Sequence, residues 1–161
     1  MSKITDNFRY LAQDRKIQFK EREVKAPLRK KDGSEVEQKQ LVFQTALRVN
    51  NEKAVACGVI IHDAESPRVN YQITYNKIGY VTDRNKMPEI TTALNDLNAM
   101  RSGYYRFVIS GDGEVIMRHL GITGEDVGPM MDIFVYGGRI LGSLLPELAK
   151  IDGIDVSQAK S

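Results

Sequence analysis

Residues 53–62 read KAVACGVIIH and residues 68–77 read RVNYQITYNK. The first stretch is apolar on both alternation phases, with Val55, Cys57, Val59 and Ile61 in one row and Ala54, Ala56, Gly58 and Ile60 in the other. A central strand covered on both faces has this pattern. Periodicity alone fits a buried helix as well, and the Val and Ile content decides for strand. The second stretch alternates strictly, Val69, Tyr71, Ile73 and Tyr75 against Arg68, Asn70, Gln72, Thr74 and Asn76, which predicts a half-buried strand. The joint between them, Asp63 to Pro67, has turn chemistry and no room for a helix. Strands that follow one another without a crossover helix make an antiparallel sheet.

Upstream, residues 16–50 predict a long hairpin. Ile17 and Phe19 start one arm, Leu41, Phe43, Thr45, Leu47 and Val49 mark the other, and Lys31-Asp32-Gly33-Ser34 lies between. Asp-Gly suits a tight turn in which both central residues take positive φ. Residues 4–14 place Ile4, Phe8 and Leu11 on one helical face, with Thr5 or Asp6 as cap. Downstream, residues 86–101 switch to helical period through Ile90, Leu94 and Leu97, with Pro88 in the first turn and Ser102-Gly103 as the stop. A second hairpin follows, Tyr105, Phe107 and Ile109 inward, then Gly111-Asp112-Gly113, then Val115, Met117 and His119. The last helix opens either at Thr123, with a Thr123-x-x-Asp126 capping box, or at Pro129. Gly137-Gly138 and Pro146 are places where it is expected to bend or break.

The expected order is therefore α–β–β–β–β–α–β–β–α, an α+β domain with an antiparallel sheet of five to six strands and helices on one face. Residues 1–151 form a single domain, and residues 152–161 a polar, frayed tail. The 161 residues are 42% hydrophobic and 27% charged, which excludes a disordered, collagenous or disulfide-stapled chain. A lone Cys57 allows no intrachain disulfide and fits the cytoplasm. The most apolar window, Met130 to Leu145, carries Asp132 and Arg139 and is too short for a membrane span, so no membrane is expected.

The helix segment Leu94-Asn95-Asp96-Leu97-Asn98 leads into Tyr104-Tyr105-Arg106-Phe107-Val108-Ile109-Ser110-Gly111-Asp112-Gly113-Glu114-Val115. A helix closing on an LN-x-LN-like segment, a hairpin with an Asp-Gly turn and a final helix resemble the bacterial sensory-transduction-regulator family of YbjN type, whose members have the type III secretion chaperone-like fold. The resemblance covers residues 86–150 and, further upstream, the order of elements alone. It implies a non-catalytic protein-binding, chaperone-like or regulatory module, often a homodimer, with no catalytic residues and no cofactor.

The residues themselves supply little chemistry. His62-Asp63-Ala64-Glu65 offers three metal-ligand types without a metal-site spacing, and His119 stands in another strand. Cys57, in an apolar row, reads as an inert thiol. No phosphate loop or nucleophile motif is present. The interaction readings are better founded. The last helix is apolar around much of its circumference, so a second element or a partner must cover it. Tyr71 and Tyr75, as amphipathic aromatics, and Phe134, Tyr136 and Leu141 on that helix are the candidate partner-binding residues, with an inward-facing place in the sheet as the alternative for Tyr71 and Tyr75. The expected mechanism is capture of an apolar segment of a partner protein against the sheet or the last helix.

The net charge of +2 conceals +5 in residues 1–50 and −3 in the rest. Between Arg15 and Lys31 there are eight basic and two acidic residues. Lys25, Arg29, Lys30 and Lys31 are therefore candidate polyanion-binding residues, and nucleic acid is the less favoured partner. A charged edge hairpin that blocks aggregation explains the same residues more simply.

Overall fold

The computed structural model describes residues 3–51 and 53–156. Its elements are α1 (Lys3–Asp14), β1 (Lys20–Arg29), β2 (Glu35–Arg48), β3 (Ala54–His62), β4 (Val69–Val81), a 3-10 turn (Arg84–Lys86), α2 (Met87–Met100), β5 (Arg106–Ile109), β6 (Glu114–Thr123), α3 (Gly128–Ala149) and β7 (Ile154–Asp155). The fold is α+β in the expected order, with β7 added. The antiparallel sheet has seven strands in the order β1-β2-β3-β4-β6-β5, and β7 pairs with β4.

Contacts group the chain into two compact units, one made of Met1–Thr45, Gly58–Ile73 and Leu120–Asp132, the other of Ala46–Cys57, Thr74–His119 and Ile133–Ser161. In the first unit α1 buries Ile4, Thr5, Phe8 and Ala12, positions four apart plus one neighbour, so they share a stripe. Leu11, expected in that stripe, is half-buried at its flank. Phe8 packs its ring 5.4 Å from Phe19 and 4.6 Å from Phe43, at the base of the first hairpin. Burying such a ring contributes about 1.5–3 kcal/mol. Thr5 and Asp6 lie inside the helix rather than capping it.

In the second unit Val55, Cys57, Tyr75, Phe107 and Met117 form the buried phase of the strands, joined by Tyr105 just before β5 and by Phe134, Leu141 and Leu148 of α3. The Tyr75 and Tyr105 hydroxyls donate to the α3 carbonyls of Phe134 and Ile133, each at 2.5 Å. Their rings occupy the space beside Gly137, where a Cβ would lie 2.5 Å from Tyr105 Oη and 2.7 Å from Tyr75 Cε2. The Gly137-Gly138 pair therefore admits two aromatic rings, and α3 runs unbroken through it and through Pro146. The helix begins at Gly128, with Pro129 in its first turn and Asp126 Oδ1 accepting from the Gly128 N–H at 3.0 Å. Thr123 is the last residue of β6, so no capping box forms there.

Two further expectations are revised. Strand β3 buries Val55, Cys57, Val59 and Ile61, whereas Ala54 is exposed and Ala56 and Ile60 are half-covered, so only one face is fully covered. Residues 152–156, expected to fray, form a turn and β7, where Tyr80 pairs with Asp155 and Ile154 is buried. Residues 157–161 lie outside the described residues.

Both hairpins close with one turn design. Gly33 N–H donates to Lys30 O and Gly113 N–H to Ser110 O, with φ of +87° and +90° at the two glycines. Only the glycine takes positive φ; Asp32 and Asp112 instead accept from the backbone N–H of Ser34 and Glu114, two residues on. This is a turn with a glycine bulge, in place of the expected turn with two left-handed centres. The Lys30 N–H to Ser34 O bond and the β1–β2 register turn the nitrogen of Pro27 to the sheet's free edge, where a missing N–H breaks no ladder bond.

Candidate interaction groove

The exit from α1 builds a groove. Ile17 N–H donates to Ala12 O at 2.9 Å and Lys16 N–H to Gln13 O at 3.1 Å, while Lys16 adopts φ +59°. This double bond pattern around a left-handed residue is a Schellman stop, with Ile17 folding back towards Ala12. A residue with a Cβ in that conformation is strained by ~1 kcal/mol or more. The reversal lays Ile17, Gln18 and Phe19 alongside the helix end. Together with Arg9, Ala12, Gln13, Lys16, Glu21 and Phe43 they line a cavity of about 640 Å³. That is the size range of ligand clefts, and Ala12, Ile17, Phe19 and Phe43 make its apolar surface.

One wall is tied in place by charge. Arg9 Nη2 lies 2.5 Å from Glu21 Oε1, Arg9 Nε donates to both Glu21 oxygens at 3.0 and 3.2 Å, and Arg9 Nη1 reaches Asp6 Oδ1 at 2.7 Å. The guanidinium hydrogen bonds hold the Glu21 carboxyl below its usual range. Glu23 meets Lys39 at 3.5 Å, and Lys39 meets Asp63 at 3.1 Å. Lys16, on the same groove, has no carboxylate within ion-pair distance among the described residues.

The residues expected to bind a partner lie elsewhere. Tyr71, Tyr75, Phe134 and Leu141 are 6%, 0%, 0% and 0% exposed, and only Tyr136, at 49%, reaches solvent. The strand tyrosines are on the inward phase, and burial pushes the hydroxyl pKa of both upward. Tyr75 and Phe134 do come together, rings stacked at 6.1 Å, but inside the core of the second unit. These four candidates are core residues, and for Tyr71 and Tyr75 the inward-facing alternative is the one the structure shows. Much of the apolar circumference of α3 is covered internally, with Phe134, Ile140, Leu141, Leu144, Leu145 and Leu148 buried and Ile140 Cδ1 3.0 Å from a Cβ built at Gly103, just past α2, while Val135 and Tyr136 stay exposed.

Lys25, Arg29, Lys30 and Lys31 are exposed on the first hairpin. Register sets Arg29 opposite Glu35, 4.0 Å away, and Lys25 opposite Lys39. Residues 25–37 hold these four cations and three carboxylates, Asp32, Glu35 and Glu37, so the tip is close to neutral.

The polar candidates are held structurally. Both ring nitrogens of His62 meet glutamine amides, Gln38 at 2.9 Å and Gln40 at 3.3 Å, and burial lowers its pKa. His119 Nδ1 lies 2.9 Å from Tyr104 O. Among the described residues no group of three or more His, Cys, Asp or Glu is placed to hold a metal ion. Burial pushes the Cys57 thiol up to about 12, so it stays protonated at neutral pH.

Sequence reasoning missed the groove. Ile17 and Phe19 were legible as an apolar pair, but a lysine gives no warning of a left-handed helix stop. Compared with known proteins, the chain matches no family model and no curated relative.

Proposed function

We propose that this chain is a non-catalytic protein-interaction module that captures an apolar segment of a partner protein, and that the capture site is the groove between α1 and β1. The observation that carries the reading is the 640 Å³ cavity with its surface of Ala12, Ile17, Phe19 and Phe43. This space beside half-buried Ile17 and Phe19 is an anchor pocket for one large apolar side chain. The resemblance to the YbjN-type regulator family supports the same role. In this reading the protein works in the cytoplasm as a homodimer. The polyanion alternative at Lys25, Arg29, Lys30 and Lys31 is weaker, because the hairpin tip carries nearly as many carboxylates as cations.

The test places a photo-crosslinking residue at Gln18, on the groove, and compares the captured partner with that from the same protein carrying Ile17→Asp. The expected result is a discrete adduct lost at least tenfold in Ile17→Asp, with both proteins sedimenting at twice the 18.1 kDa chain mass. Equal crosslinking by the two proteins, or monomers at micromolar concentration, overturns the corresponding half of the reading.

A further inference from the structure

The sheet ends on β5 at one side and on β1 at the other. The β5 edge is four residues long and the β1 edge ten. A long edge offers a row of unpaired backbone donors and acceptors, and it is blunted where charge or proline opposes its pairing. The Lys30 N–H to Ser34 O bond sets the ladder phase of β1, and its register with β2 is unbroken from Lys20 to Arg29. The N–H groups of Glu21, Glu23, Lys25 and Arg29 therefore face outward, and Pro27 alone in that row lacks a donor.

Like charges face each other within both hairpins, Arg106 opposite Arg118 and Lys25 opposite Lys39. Arg106 Nη1 donates to the carbonyls of Gly103 at 3.3 Å and Tyr105 at 2.7 Å. Lys39 lies 3.5 Å from Glu23 and 3.1 Å from Asp63. Lys25, on the free edge, has no carboxylate within ion-pair distance among the described residues. Its row also carries Glu21 and Glu23, so the edge presents both signs of charge. The other row runs from Lys20 and Arg22 to Val24, Ala26 and Leu28, the last 49% exposed.

We propose that two copies of this chain pair through their β1 edges, antiparallel, with the two-fold axis at Val24. The inference rests on the homodimer reading above and names its interface. In this register each Lys25 stands directly opposite Glu23 of the partner subunit, in a hydrogen-bonded pair that occurs on both sides of the axis. On the other face Val24 meets Val24 of the partner subunit, and Arg22 meets Ala26 of the partner subunit. The aliphatic stem of Lys20 covers Leu28 of the partner subunit. No like charges are opposed. Moving the axis by one residue destroys the match: at Glu23 two glutamates meet, and at Lys25 two lysines meet. The charges on β1 thus reject the neighbouring registers and accept one. Pro27 falls opposite Glu21 of the partner subunit and removes one ladder bond at each end. The contact uses the same edge of both copies and is therefore closed.

Disulfide trapping tests this, because the lone native cysteine, Cys57, is buried and a thiol placed on β1 reports by itself. Val24 lies on the axis in a non-hydrogen-bonded pair, where Cα atoms are about 4.5 Å apart and within disulfide reach. Under mild oxidation Val24→Cys should form a covalent dimer at least tenfold faster than Ala26→Cys, whose thiol faces Arg22 of the partner subunit. A mixture of Arg22→Cys and Ala26→Cys should give the mixed dimer. In sedimentation equilibrium Lys25→Glu should weaken the dimer at least tenfold, and the swapped Glu23→Lys/Lys25→Glu variant should restore it. A dimer in sedimentation that Val24→Cys does not trap overturns the β1 interface and leaves the homodimer standing. Monomers at micromolar concentration overturn both. Trapping of Ala26→Cys as fast as Val24→Cys, or an undiminished Lys25→Glu dimer, overturns the register and with it the proposal.

Discussion

The two Asp-Gly hairpins are built on the same turn and serve different ends. Each closes with an aspartate that accepts from the N–H two residues on and a glycine near φ +90°. Beyond the turn they diverge. Near its tip the β1–β2 hairpin pairs Leu28 with Val36, 49% and 40% exposed. The β5–β6 hairpin pairs Phe107 with Met117, both buried. The turn fixes register, and the surface a hairpin meets decides what that register is worth. On the exposed hairpin, opposite charges settle among themselves; on the buried one, one face is committed to the core and the other is left with two arginines.

The largest contrast should come from truncating one apolar side chain near the turn of each hairpin. Phe107→Ala should cost about 3–5 kcal/mol by chemical denaturation, the usual cost of an emptied aromatic core site, whereas Leu28→Ala should stay within about 0.5 kcal/mol. Equal losses would mean that the first hairpin is packed after all. The intermediate contrast concerns the turns. Gly113→Ala and Gly33→Ala both place a Cβ at strongly positive φ, a strain of ~1 kcal/mol or more. Gly113 is buried, its Cβ position 3.6 Å from Val81, so its strain should lower the global melting temperature. Nothing lies within 4 Å of the Gly33 Cβ position, so there the strain should appear as faster amide exchange at the tip with little change in melting.

The smallest effect is a shared pH dependence. Hydrogen bonds from the Ser34 and Ser110 hydroxyls hold Asp32 and Asp112 below their usual range. A carboxyl whose folded pKa is depressed stabilises the fold fully above its unfolded value, about 3.9, and loses that contribution as pH falls through the lowered folded value. The melting difference between the unmodified protein and Asp112→Ala should therefore be constant at neutral pH and shrink in acid. A difference that grows in acid would reverse the assignment.

Much of the architecture was legible because alternation and punctuation agree. Val69-x-Tyr71-x-Ile73-x-Tyr75 could only be a half-buried strand, and Pro88 with Gly103 bracketed α2. The role of the tyrosines was not legible, because residue type says that a hydroxyl needs a partner, not that helix carbonyls supply it. Strand β7 is two residues long and carries no period to read. The groove depends on a lysine in a left-handed conformation, which composition does not announce. The Arg106–Arg118 pair was within reach: once Asp112-Gly113 is accepted as the turn, counting back along both arms sets 106 against 118.

The tyrosine contacts on α3 also constrain how the second unit can move. Sliding a helix by one residue shifts it about 1.5 Å and turns it about 100°. Tyr75 and Tyr105 bond to successive carbonyls, Phe134 and Ile133, and both rings need the notch at Gly137. Such a screw sets each carbonyl where its neighbour stood, so both acceptors are kept, and what changes is the notch, where Gly137 gives way to Gly138 in one direction and to Tyr136 in the other. The two hydroxyls therefore hold α3 against turning or sliding alone, and the notch bars the combined motion that would bring Tyr136 against the two rings already seated there.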